Sequence, residues 1–288
     1  MDAQLQGADD GGMTRSITLL PALAVGSLVL TGIFLIAIFS PPLFNIIFGE
    51  EYAWDVWGVI YGIAHVAAGV ALVTLRSRLG IGASLVLAMI GFTSSTALLL
   101  SRVSSLVEAM QYPGSFVRIE PIELAIATML AAMHALIIVG VLEAARRWDL
   151  LGTDFGLALP AAILGGIGFA IGLTSWGGTY AILVSPIDMP VFETTLAALS
   201  LPHFVAMAAL AIRGRLAVPV ALAVSVGGVI LGAVNVFVLA TRDGSPWSYA
   251  DSIAFWVLLT AGYALAAIIL FRPSAYTRGV RSAQPADF

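Results

Sequence analysis

Eight apolar stretches dictate what this 288-residue chain can become. They run Ile17–Phe39, Val56–Leu75, Leu79–Leu100, Ile122–Ala144, Phe155–Trp176, Thr194–Ile212, Leu216–Ala240 and Ser252–Phe271. A segment of roughly 20 apolar residues is what a helix needs to cross a hydrocarbon core. Water is absent there, so each backbone N–H and C=O has to be paired within its own segment, and these segments are read as helices. Composition points the same way, with 60% hydrophobic and 10% charged residues and a mean hydropathy of +1.00. The expected fold class is all-α, a polytopic membrane protein of eight transmembrane helices. The first stretch has no small-x-small cleavage site and is long enough to span, so it is read as a helix rather than a signal peptide.

Two missing residue types narrow the chemistry. Without cysteine there is no disulfide, iron–sulfur cluster or thiolate metal site. Without lysine there is no Schiff base, so retinal is excluded despite the helix count. No G-x-x-x-x-G-K loop cradles a nucleotide phosphate, and a net charge of −4 argues against nucleic acid. All 13 basic residues are arginine, a bias read as GC-rich or halophilic coding, and the chain is expected in the cell membrane of a prokaryote.

Arginine positions set the topology, because basic loops stay cytoplasmic. With the amino terminus inside, Arg15, Arg76, Arg78, Arg146, Arg147, Arg213, Arg215, Arg272, Arg278 and Arg281 fall on the inner side. Only Arg102, Arg118 and Arg242 fall outside, where Glu50, Glu51, Glu108, Glu120, Asp188 and Asp243 also lie. Both termini are therefore placed in the cytoplasm of a multi-pass protein. The outer loop Ser101–Pro121 contains an amphipathic stretch, Val103–Met110, expected to lie on the membrane surface.

The chain also repeats itself. His65, Arg76, Arg78 and Leu79 recur as His203, Arg213, Arg215 and Leu216, and Pro21-Ala22 recurs as Pro160-Ala161, at offsets of 137 to 139. A steady offset is the signature of tandem duplication. Residues 1–150 and 151–288 are thus read as two tandem four-helix bundles. Each half has an even number of spans, which makes the repeat parallel rather than inverted.

Three histidines sit inside these spans. His65 lies about ten residues from either end of its helix, hence roughly 15 Å deep. His134 and His203 lie twelve and ten residues before Arg146 and Arg213, so all three share one depth, on helices two, four and six. Aligning His134-Ala135-Leu136 with Tyr263-Ala264-Leu265 makes Tyr263 the partner position on helix eight. Ionisable groups at mid-membrane are costly and mark function by default. In an up-and-down bundle helices two and four stand diagonally across the core, so His65 and His134 should face each other as metal ligands. Two imidazoles meeting through a planar ring is the ligation of a b-type haem. Its Cα atoms would stand roughly 12 to 14 Å apart around a slot lined by Gly62, Ala64, Ala68, Gly69, Ala131, Ala132 and Ala135. His203 and Tyr263 form the second candidate cofactor-binding pair. The competing explanation is that these histidines only hydrogen-bond between helices.

In span number, parallel duplication and the positions of His65, His134 and His203, the chain resembles the haem A synthases. That resemblance implies tandem four-helix bundles with haem-ligating histidines on helices two, four, six and eight. The chain departs from the family in three places. No glutamate precedes His65 in Val59-Ile60-Tyr61-Gly62-Ile63-Ala64, Tyr263 stands where the eighth-helix histidine would be, and the outer cysteine pair is missing. The resemblance supports haem binding more than haem oxidation.

Other polar residues are read more simply. Asp55, Glu123, Glu193 and Asp251 each open a helix and are taken as caps. Asn235 is read as an interhelical hydrogen bond, and Glu143, Arg146 and Arg147 as a solvated face. Three classes follow: a b-type haem-binding redox or haem-modifying protein, a secondary transporter or permease, or a non-catalytic subunit of a larger membrane complex. Gly165-Gly166-Ile167-Gly168 and Leu201-Pro202-His203, read as interruptions of their spans, motivate the permease. The bilayer is the first partner in each case. Site-directed labelling from outside should reach Glu50, Asp188 and Asp243 and spare Arg76 and Arg213; the opposite pattern would reverse the topology.

Overall fold

A computed structural model describes residues 10–40, 56–75, 77–111, 121–148, 150, 155–174, 191–212, 216–241 and 250–271. They form eight helices: α1 (Asp10–Phe39), α2 (Val56–Leu75), α3 (Arg78–Gln111), α4 (Pro121–Arg147), α5 (Phe155–Thr174), α6 (Val191–Ala211), α7 (Ala217–Thr241) and α8 (Ala250–Leu270). Seven are long and apolar enough to cross a membrane. The exception is α6, whose described apolar part is Ser200–Ala211.

The outward faces are apolar. Leu30, Ile33, Val70, Val73, Phe237, Leu258 and Ile268 are exposed, whereas His65, Thr93, His134, Ser200 and Ser225 are buried. Large side chains outside and polar ones inside is stable only against lipid, which removes the cost of the first and any water for the second. Most interior hydroxyls turn back on their own helix. Ser84, Thr93, Ser94 and Ser95 of α3 donate to the carbonyls of Gly80, Met89, Ile90 and Gly91 at 2.6 to 2.9 Å. Asn235 does the same toward Leu231 O, at 2.8 Å, so the interhelical bond expected of it is replaced by one within α7.

The helices separate into two compact units, α1–α4 and α5–α8. In the first, α1 packs on α2 and α4, and α3 packs on α4 and α2. In the second, α5 packs on α6 and α8, and α7 packs on α8 and α6. Either circuit leaves its second and fourth helices opposite each other across the core. The second core holds Leu164, Ile171, Leu210, Ala221, Ala266 and Leu270 around Tyr263.

Two expectations need correction. Val103–Met110 is no separate surface element; it continues α3, a helix of 34 residues. At 1.5 Å per residue α3 is roughly 50 Å long and outruns the hydrocarbon core. The glycine and proline sequences do not break their spans either: Gly165–Gly168 lies inside α5 and Pro202 inside α6. Pro21 and Pro160 likewise sit within α1 and α5. Arg76, Arg213 and Arg215, and the side chains of Asp55, Glu123, Glu193 and Asp251, lie outside the described residues.

The α1–α2 seam is a contact between backbones. A Cβ on Gly32 would overlap Gly62 O and Val66, and one on Gly62 would overlap Gly32 O and Ile36. Small residues let helices approach this closely where no hydrophobic force drives them together. Gly32→Val should therefore lower the thermal midpoint in detergent, by a cost of about 1–3 kcal/mol or more. Leu30→Ala on the exposed face should be nearly silent, and equal effects would remove the seam from the account.

Candidate functional site

His65 and His134 meet. His65 stands midway along α2 and His134 midway along α4, and they are 0% and 1% exposed. Their Nε2 atoms are 3.3 Å apart. The ring centroids are 5.4 Å apart and the planes are inclined by 82°. The centroid separation exceeds the nitrogen separation by 5.4 − 3.3 = 2.1 Å, close to the two ring radii that a tip-to-tip approach adds. The imidazoles therefore point at each other along one line.

The far side of each ring is tied to its own helix. His65 Nδ1 lies 2.9 Å from Tyr61 O, and His134 Nδ1 lies 2.7 Å from Leu130 O. A carbonyl oxygen only accepts, so both Nδ1 atoms carry the proton and donate. Between the two carbonyls the line then contains three gaps: O to Nδ1, Nε2 to Nε2, and Nδ1 to O. Two neutral imidazoles bring only two N–H protons, and the two gaps at the carbonyls use both. The central gap holds two bare lone pairs, and moving a proton into it from either end leaves a lone pair facing a carbonyl instead. One positive charge beyond the neutral rings is needed to complete the line.

The second unit also brings a pair together, with its rings inclined by 45°. His203 and Tyr263 are 5% and 1% exposed, with ring centroids again 5.4 Å apart. The Tyr263 hydroxyl and His203 Nε2 are hydrogen-bonded at 2.5 Å, and in either tautomer of the imidazole one proton lies between them. A phenol brings its own proton, so this pair closes without help.

Each partner on the fourth helix of its unit is seated against a glycine of the third. A Cβ on Gly91 of α3 would overlap the His134 imidazole, and one on Gly228 of α7 would overlap the Tyr263 ring. Gly91 and Gly228 are 137 residues apart. Neither was singled out from the sequence, although that offset within the repeat is the signal that marks them. Tyr61 is a further unanticipated contributor. It packs edge-on to His65 with centroids 4.4 Å apart, and its hydroxyl donates to Leu87 O of α3 at 3.0 Å.

Three of the seven small residues expected to line a haem slot are used elsewhere. Gly62 and Gly69 pack on α1, and Ala132 is exposed. Iron between two imidazoles needs their nitrogens about 4 Å apart, from metal–nitrogen bonds of about 2 Å. The observed 3.3 Å is shorter than that by about 0.7 Å, with both histidines buried.

At the other end of α4, Glu143 accepts from Arg146 at 2.9 Å and Arg147 at 3.1 Å. Only Arg146 of the three is largely exposed, so the expected solvated face is an ion-paired cluster at a helix end.

No protein-family model, curated protein or solved structure matches this chain. The glycine seats give the site its test. Gly91→Ala and Gly228→Ala should each destabilise by about 1–3 kcal/mol in thermal unfolding. Gly26→Ala, Gly166→Ala and Gly227→Ala have open space around the new methyl and should be neutral or stabilising by up to about 1 kcal/mol. Similar effects in both sets would mean that the rings are not seated as described.

Proposed function

We propose that this chain is an integral membrane protein of a prokaryotic cell membrane, built as two tandem parallel four-helix bundles of eight spans. In this reading the first bundle holds one positively charged centre between His65 and His134, at mid-membrane. The protein belongs with cofactor- or metal-bearing membrane proteins rather than with solute permeases. The observation that carries this is the count of two protons for three gaps.

Two further features favour a retained centre over a translocated solute. The histidines are buried, at 0% and 1% exposure. The spans read as interrupted are continuous helices, whereas transporters bind substrates at broken ones. The duplication is supported by the matched glycines and by equal centroid separations in the two pairs.

A b-type haem, the occupant suggested by the resemblance to haem A synthases, asks the nitrogens to part by about 0.7 Å and the surrounding helices to admit a ring. A bare cation asks only for the first. The second bundle, with Tyr263 opposite His203, holds no cation of its own.

The chain has only three histidines, which makes it suited to nitrogen NMR. Protein labelled with nitrogen-15 histidine should report Nδ1–H in both His65 and His134, with Nε2 of both shifted by a proton or a metal. A spectrum with one ring carrying N–H at Nε2 and no third positive group would remove the centre from the account.

A further inference from the structure

We propose that His65 and His134 form a two-coordinate site for a monovalent soft metal ion, Cu(I) in the cell, held on a near-straight nitrogen–metal–nitrogen line. The proposal rests on the reading that this centre holds one positive charge, and it names the charge.

Donor set and geometry select the ion. The site offers two neutral aromatic nitrogens approaching along one line, as the 3.3 Å nitrogen and 5.4 Å centroid separations require. Among the described residues no group of three or more His, Cys, Asp or Glu side chains is placed to hold a metal. Zn(II) takes four ligands in a tetrahedron, and Mg(II) and Ca(II) take six or more oxygens, so none is satisfied by two nitrogens. Imidazole suits copper. A filled-shell ion of single charge is content with two donors in line, and a single charge is what the proton count leaves open. The carbonyls of Tyr61 and Leu130 complete the arrangement, since ligating histidines commonly donate their other N–H to a backbone carbonyl that fixes tautomer and ring direction.

The cost of entry is small. Two metal–nitrogen bonds need about 4 Å between donors, so each ring retreats by roughly 0.35 Å from its observed place. Burial then favours retention: water that would rehydrate a lost ion does not reach a side chain 0% exposed. The second unit serves as an internal control, because a proton of the His203–Tyr263 hydrogen bond already occupies the equivalent gap at 2.5 Å.

The test uses purified full-length protein in detergent under anaerobic conditions, titrated with Cu(I) against a chromogenic chelator and separately with Ag(I) as a redox-inert probe. Wild type should bind one ion per chain, with an X-ray absorption edge typical of linear two-coordination and two nitrogen neighbours at roughly 2 Å. His134→Tyr should lose the ion while retaining its thermal midpoint, because Tyr263 already fills that position beside a glycine in the other unit. His65→Ala should also lose it, and His203→Ala should not. Tyr263→His should gain a second ion per chain. Zn(II) should bind at least a hundredfold more weakly than Cu(I). Absence of a Cu(I) equivalent in wild type, its persistence in His134→Tyr, or equal affinity for Zn(II) would overturn the proposal. A haem absorption band lost in His65→Ala and His134→Tyr, without copper binding, would overturn the metal assignment yet leave the single-charge reading standing. Neutral rings with no third positive group in the nitrogen NMR would remove both.

Discussion

A hydrocarbon interior has no water with which to satisfy a polar group, and every polar feature of this molecule answers to that constraint. Backbone groups pair within helices that continue past Pro21, Pro160 and Pro202, each of which, lacking an N–H, gives up one bond of the ladder. Hydroxyls of Ser84, Thr93, Ser94, Ser95 and Ser225 bond the carbonyl one turn back. The histidines begin in the same way, using Nδ1 on the carbonyl four residues earlier. The resemblance ends at Nε2: a hydroxyl that donates its one proton is finished, whereas an imidazole that has spent its proton still presents a bare acceptor to the core. An acceptor left unsatisfied in such a place costs about 1–3 kcal/mol, and here two are aimed at each other.

Two solutions to that problem occur in one chain. In the second unit a phenol faces the imidazole and supplies the missing proton; in the first, imidazole faces imidazole and nothing in the pair supplies it. The two pairs share a glycine of the preceding helix against the ring of the fourth-helix partner and the same centroid separation, but differ in ring inclination, 82° against 45°. A single change of residue type thus separates a pair that carries a proton for its gap from one in which both Nδ1 protons are already used.

Much of this was legible from the sequence, for reasons particular to certain residues. The lengths of the apolar runs translate directly into helices, and the depths of His65 and His134 on the second and fourth spans anticipate their meeting. What could not be read was the spacing. Gly62, Gly69 and Ala132 look like room for a macrocycle because composition records small volume without direction; in space two of them bring α2 onto α1, and the third faces outward. Val103–Met110 was misread because a change in hydropathy marks where a helix leaves the membrane, not where it ends. Asn235 shows a similar limit: its type names a donor, but only the helix geometry reveals that Leu231 O is within reach. Gly91 was missed because a glycine in a membrane helix is commonplace until its ring partner is known.

The direction of the rings finally links the fold to the chemistry. An imidazole held only at Nε2 could swing about its side-chain bonds and settle elsewhere, hiding its lone pair. Here Nδ1 is fixed to the backbone, Tyr61 stands edge-on against His65, and Gly91 closes the face of His134, so neither ring is free to turn away. Tyr61 in turn is anchored to α3 through Leu87 O, which places two helices, α2 and α3, behind the position of one nitrogen atom. Preorganisation of this kind is costly to an empty site and useful to a filled one, because the ligands need not be ordered at the moment of binding. In the proposed reading the same rigidity separates a bare cation from a macrocycle. A cation is accommodated by a displacement of tenths of an ångström, while a macrocycle has to break the contacts that aim the nitrogens in the first place.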